Sequence, residues 1–225
     1  MIIAAMLIAP VFSQQTAKRF EKQITISYNY LMYLPKDYQK TKDKYPLLIF
    51  LHGSGERGSN IELVKKNGVP KLIEDGKDFP FIVVSPQCPD GSWWNSQVIN
   101  EMLNTIIAEN RVDESRIYIT GLSMGGYGTW EMITTFPQRF AAAAPICGGG
   151  NPTLARFSHG TPVWAFHGGK DEVVPMKQSL DMIEVLQSVG DDVKLTVYPE
   201  AGHDSWTEAY NNPKLYEWFL SHKKK

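Results

Sequence analysis

From about Gln23 onward, short continuous apolar runs alternate with longer stretches in which apolar residues recur every three or four positions. That alternation predicts an α/β fold, a mostly parallel sheet flanked by helices. Six runs are apolar enough for strands buried on both faces: Leu47–Leu51, Phe81–Ser85, Ile117–Thr120, Ala141–Ile146, Val163–His167 and Lys194–Tyr198. Two earlier runs, Ile24–Ile26 and Tyr30–Leu34, predict a hairpin at one sheet edge, closed off by the Pro35-Lys36-Asp37 turn, which makes about eight strands in all. Helical spacing marks Ile99–Glu109, Tyr127–Thr135, Lys177–Ser188 and Pro213–His222; the second runs into Pro137 and the third into Gly190, both natural stops. Every chemically suggestive segment follows directly on one of the strands, and the carboxyl edge of a parallel sheet is where ligands bind.

At 225 residues, the chain has the length of a single α/β domain, placed here at residues 20–225. A formal net charge of −1 supplies no field to gather nucleic acid or an anionic membrane, so neither is expected as a partner. The terminal Lys223-Lys224-Lys225 run reads as a solvated helix end. Residues 1–13 are apolar and end in small or polar residues before Gln14-Gln15, like the apolar region and cleavage site of a signal peptide, though without a basic start. They are too short to span a bilayer as a helix, so the expected location is periplasmic or secreted, with cytoplasmic as the alternative. Cys88 and Cys147 are too few for a disulfide framework and too far apart in sequence for a metal motif. No metal and no cofactor are expected.

Gly121-Leu122-Ser123-Met124-Gly125 fits G-x-S-x-G between a strand and a helix. A sharp strand-to-helix turn strains the serine backbone, and the flanking glycines remove side chains that would collide across it, so Ser123 is presented at a helix N-terminus as a nucleophile. With Leu51-His52-Gly53-Ser54-Gly55 after an earlier strand, Gly168-Gly169-Lys170-Asp171 after a later one and Ala201-Gly202-His203 near the end, the chain resembles the α/β-hydrolases. More narrowly it is similar to the phospholipase/carboxylesterase group and to feruloyl and acetyl-xylan esterases. Dienelactone hydrolases share its size and order, but Ser123 stands where they carry a cysteine nucleophile.

The resemblance implies a serine carboxylic ester hydrolase with no cap domain and an acyl-enzyme intermediate. A serine hydroxyl needs a base, and the base needs an orienting carboxylate. Of five histidines, His203 follows the last core strand and completes the order Ser, Asp, His. His52 and His167 read as turn-shaping residues, His159 and His222 as loop and surface residues. Asp171 is the expected acid over Glu172, Asp191, Asp192, Glu200 and Asp204, because it follows a strand end through two glycines, a position the resemblance also assigns to the acid. The oxyanion hole is expected from the N–H of Met124 and, by resemblance, that of Ser54, with Gly55 as alternative. Trp93, Trp94 and Trp206 lie in loops that converge on the same edge and are expected to wall a substrate pocket. Only a loop fits between Cys147 and Pro162, so the site should be open to bulky, aromatic, carbohydrate-linked or polymer-attached esters. The rival readings are a serine peptidase of the prolyl-peptidase type, for which a selecting domain has no room, and an inactive binding module, which would have lost a triad member. The strand order that the resemblance implies sets two strands between those preceding Cys88 and Cys147, so the two are expected not to pair.

Overall fold

The structure, a computed structural model, describes residues 15–23 and 25–224. Seven strands form one sheet: β1 (Asn29–Tyr33), β2 (Tyr45–Leu51), β3 (Ile82–Gln87), β4 (Val112–Leu122), β5 (Ala142–Ile146), β6 (Val163–Gly168) and β7 (Val193–Tyr198), in the order β1-β3-β2-β4-β5-β6-β7. Only β1 runs antiparallel, pairing with β3 from Asn29 opposite Gln87 to Tyr33 opposite Val83. The helices are α1 (Gly68–Glu74), α2 (Ser96–Glu109), α3 (Met124–Thr135), α4 (Pro152–Ala155), α5 (Lys177–Ser188), α6 (Trp206–Asn211) and α7 (Pro213–Ser221).

The period of two in β2 divides the core. Leu47, Ile49 and Leu51 pack on one face with Ile99 and Leu103 of α2, Trp130 and Ile133 of α3, and Met182 and Leu186 of α5. Leu48 and Phe50 pack on the other with Tyr118, Phe166, Tyr210 of α6, and Leu215 and Phe219 of α7. Apolar residues of the central strands therefore meet helices on whichever face they point from, which is why those strands read as unbroken apolar runs.

Three expectations need correction. The first early run forms no strand in its described part, Thr25 and Ile26, so the described sheet has seven strands and β1 stands alone at its edge. The physical reason is visible in β1 itself, where Tyr30 and Met32 are already exposed and a further strand would cover no core. At the opposite edge β7 is half-buried rather than buried on both faces, with Lys194 and Val197 facing solvent. The segment between β5 and β6 is more than a loop: it holds α4 and a 3₁₀ turn, Arg156–Ser158, laid against α3 and α5 rather than over the sheet edge, so it forms no cap. The apolar N-terminal run, residues 1–13, lies outside the described residues. No helix among those described is long and apolar enough to cross a membrane.

Candidate active site

β4, at the centre of the sheet, delivers Ser123. The serine holds φ 52° and ψ −117°, a conformation that a side chain rarely tolerates, and α3 begins one residue later. Its own N–H donates to the Ile146 carbonyl at 3.0 Å, which ties the turn to the end of β5. Gly125 makes the turn feasible, because a Cβ there would sit 1.9 Å from the Leu51 carbonyl oxygen. The strain is thus held by backbone that has no room to relax.

Loops after β6 and β7 bring in the other two groups. His203 Nε2 lies 2.9 Å from Ser123 Oγ, and His203 Nδ1 lies 2.8 Å from Asp171 Oδ2. Asp171 Oδ1 accepts from the N–H groups of Val173 and Val174, both at 2.9 Å. Burial alone would raise the Asp171 carboxyl, but the hydrogen bond from His203 and the two backbone donors outweigh it and hold the group below the ordinary carboxylate range. Asp171 is therefore an anion at neutral pH, with one oxygen fixed by backbone and the other aimed at an imidazole.

The rival acids are elsewhere. Glu200 pairs with Lys170, Asp191 with His159, and Asp204 caps Thr207, while Glu172 is exposed. Asp192 lies 3.7 Å from His222.

The turn after β2 sits against Ser123, since a Cβ on Gly53 would come 3.6 Å from that of the serine. Ser54 opens a 3₁₀ turn, Ser54–Glu56, and Met124 is the first residue of α3, whose leading N–H groups have no partner within the helix. His52, wholly buried, pins this turn: Nδ1 lies 2.5 Å from the Gly53 carbonyl oxygen, and Nε2 accepts from the Cys88 N–H at 3.0 Å. The carbonyl fixes the proton on Nδ1. Burial lowers the His52 pKa to about 4, so this turn-shaping histidine stays neutral.

The three tryptophans separate. Trp93 is exposed and meets Tyr127 of α3 edge to face at 6.2 Å. Trp206 stands edge-on to His203 at 5.3 Å. Trp94, in contrast to its neighbour, is buried, and its indole N–H donates to the His52 carbonyl at 3.1 Å; it supports the β2 turn and walls no open surface. Sequence reasoning missed Tyr127, four residues past Ser123, and Glu56, a buried acid that accepts from Asn67 Nδ2 at 2.5 Å. The first could have been found from helical spacing; Glu56 in a polar, glycine-rich turn gives no sign of burial.

Both cysteines are buried free thiols, pushed by burial to about 11 for Cys88 and about 12 for Cys147. β2 and β4 lie between their strands, as the implied order required. Cys147, Asp171 and His203 are the described donors close enough to share a metal ion, but the last two are already bonded to each other.

A strained Ser123 turn at the end of a central parallel strand, with Asp171 and His203 carried by the loops after the two strands beyond β5, is the arrangement of an α/β-hydrolase. Residues 91–216 match the family model described as the dienelactone hydrolase family, and the chain belongs to that family of hydrolases. A poly(3-hydroxyalkanoate) depolymerase C of Paucimonas lemoignei is 33% identical over 121 residues, which cover 46% of this chain and 28% of the depolymerase. A bifunctional acetylxylan esterase/xylanase of Neocallimastix patriciarum is 28% identical over 144 residues, covering 59% of this chain and 20% of its own length. Among solved structures, a thermostable esterase superimposes with a TM-score of 0.75 at 34% identity, over 86% of this chain and 59% of the esterase. The chain thus spans less than two thirds of each, and under a third of the two curated relatives.

Proposed function

We propose that this protein is a serine carboxylic ester hydrolase in which Ser123 is the nucleophile, His203 the general base and Asp171 the orienting acid. The observation that carries the reading is the unbroken line of contacts from Ser123 Oγ through both ring nitrogens of His203 to a buried Asp171 carboxylate, at 2.9 and 2.8 Å.

In this mechanism His203 Nε2 takes the Ser123 proton as Oγ adds to the ester carbonyl, and Asp171 stabilises the imidazolium that forms. Negative charge grows on the former carbonyl oxygen beside the N-terminus of α3 and the β2 turn. The N–H groups of Met124 and Ser54 are assigned there, each worth about 3 kcal/mol to the barrier. The imidazolium returns its proton to the departing alcohol as the carbon–oxygen bond breaks. Water, deprotonated by the same imidazole, then releases the acid and restores the serine.

The substrates proposed are accessible esters, including aromatic, carbohydrate-linked and polymer-attached ones. The exposed Trp93, Trp206 beside His203 and the absence of a cap among the described residues support this class, as do relatives named a poly(3-hydroxyalkanoate) depolymerase and an acetylxylan esterase. The catalytic unit proposed is a single domain over residues 20–225, working outside the cytoplasm with residues 1–13 as its export signal. A panel of short- and long-chain nitrophenyl esters, feruloyl and acetylated sugars and peptide amides, run with wild type and Ser123→Ala, tests the reading. Turnover of esters that vanishes in the variant is expected; cleavage of amides but no ester would overturn it in favour of a peptidase.

A further inference from the structure

We infer that His167 is a positioning residue for the acid: a buried imidazolium, protonated on both ring nitrogens, that forms a second ion pair with Asp171. The inference rests on Asp171 being the acid of the proposed triad.

His167 is the penultimate residue of β6, its side chain fully buried, and four contacts fix where protons must be. Its Nε2 is 2.8 Å from the Val174 carbonyl oxygen and 3.3 Å from Asp171 Oδ2, the same oxygen that His203 engages. Its Nδ1 is 2.8 Å from Ser179 Oγ, and Ser179 Oγ is 2.8 Å from the Gly148 carbonyl oxygen. A carbonyl and a carboxylate can only accept, so Nε2 must carry a proton. The Ser179 hydroxyl has one proton to give.

If that proton goes to Nδ1, then Ser179 Oγ and the Gly148 carbonyl face each other at 2.8 Å as two bare acceptors in a dry interior. If it goes to the carbonyl, then Nδ1 and Oγ do the same unless Nδ1 has its own proton. Only the imidazolium supplies one proton to every contact: Nδ1–H to Ser179, Ser179 O–H to Gly148, and Nε2–H to Val174 and Asp171. A buried cation needs an anion beside it, and Asp171 is there. The other titratable groups around Asp171 are His203, Cys147 at the end of β5 and Tyr127 of α3, so the carboxylate is the anion that answers the charge.

The charge has a catalytic consequence. A fixed cation on the shared oxygen tempers the pull of Asp171 on His203, so the base sheds its proton at lower pH than it otherwise would. In His167→Gln the amide still donates to Val174 but the charge is gone. His203 then holds its proton longer, and the acid limb of kcat/KM for a soluble nitrophenyl ester moves up by about one pH unit or more.

Two measurements decide the matter. In wild-type protein at neutral pH, ¹⁵N spectra of the histidine rings should show both nitrogens of His167 protonated. The resonances are assigned by their loss in His167→Gln, or by their shift in Ser179→Ala if the first variant does not fold. A pyridine-type Nδ1 there overturns the inference. So does a folded His167→Gln with reduced kcat but an unmoved acid limb, the signature of a merely structural residue. An inactive wild type would defeat the esterase reading and leave the ring-nitrogen spectra to decide this one.

Discussion

Replacing Gly125 by alanine adds one methyl group where the end of β2 crosses the start of α3. Its Cβ would stand 1.9 Å from the Leu51 carbonyl oxygen, 2.5 Å from the Leu51 carbonyl carbon and 2.8 Å from the His52 carbonyl oxygen. Ordinary contact begins near 3.4 Å, so strand and helix must part by about 1.5 Å, and both obstacles are backbone of the central sheet. Overpacking costs about 1–3 kcal/mol, and an obstacle that cannot rotate away puts this case at the upper end, about 3 kcal/mol. For a chain of this length that lowers the melting temperature by roughly 6–12 °C. The same wedge moves the β2 turn away from Ser123, so kcat for a nitrophenyl ester should fall about 100-fold, the cost of one misplaced oxyanion donor. Gly55, in the same turn, is the control: nothing lies within 4 Å of a Cβ built there, and Gly55→Ala should melt within about 2 °C of wild type. Calorimetry and initial rates on the two variants suffice. A Gly125→Ala protein that melts with wild type and keeps more than about half its kcat would refute the account of the turn.

Ser123→Ala and His203→Ala should each reduce ester turnover to near background, while Asp171→Asn loses less; more than about a tenth of wild-type activity in either of the first two removes that residue from the mechanism. His52 is protonated below about pH 6.5 when unfolded but, buried, only below about 4 when folded. The unfolded chain therefore binds more protons in that window, and acidification from pH 6.5 to 4 should remove about 3 kcal/mol of stability through this group. Urea midpoints across that range should show a steeper fall in wild type than in His52→Gln, and parallel curves would contradict the assignment. Thiol titration of the unfolded, unreduced protein should find two free cysteines, whereas the native protein should react slowly, because both thiols are buried and held protonated; a monomer mass two protons light would show the pairing instead.

Local pattern and chain order carried most of the reading. The Ser123 turn was legible because strand, glycine spacing and helix coincide within a few residues, and Asp171 and His203 followed from lying just past two later strands. What escaped depends on which strand ends where. Val193–Tyr198 has the apolar content of a central strand, and only its place at the sheet edge exposes Lys194 and Val197. Trp93 and Trp94 are adjacent and identical in type, yet one faces solvent and the other donates to the His52 carbonyl, a contact across 42 positions that no local pattern encodes. The bond from the Cys88 N–H to His52 is likewise set by parallel pairing of β2 with β3 rather than by either segment alone.

The edge position of β7 bears on how the protein would fail. Ser123 follows the central strand of the sheet, whereas His203 follows an edge strand with a neighbour on one side only, held by pairing with β6 from Val163 opposite Val193 to Gly168 opposite Tyr198. Edge elements open at a lower free energy than the global transition. Under mild denaturant, then, His203 and Ser123 should part company while the core is still intact. The Ser123 hydroxyl would stay on its turn without its 2.9 Å contact to His203. On the proposed mechanism, activity should then be lost reversibly by fraying at one margin, before any probe of the central strands registers a change.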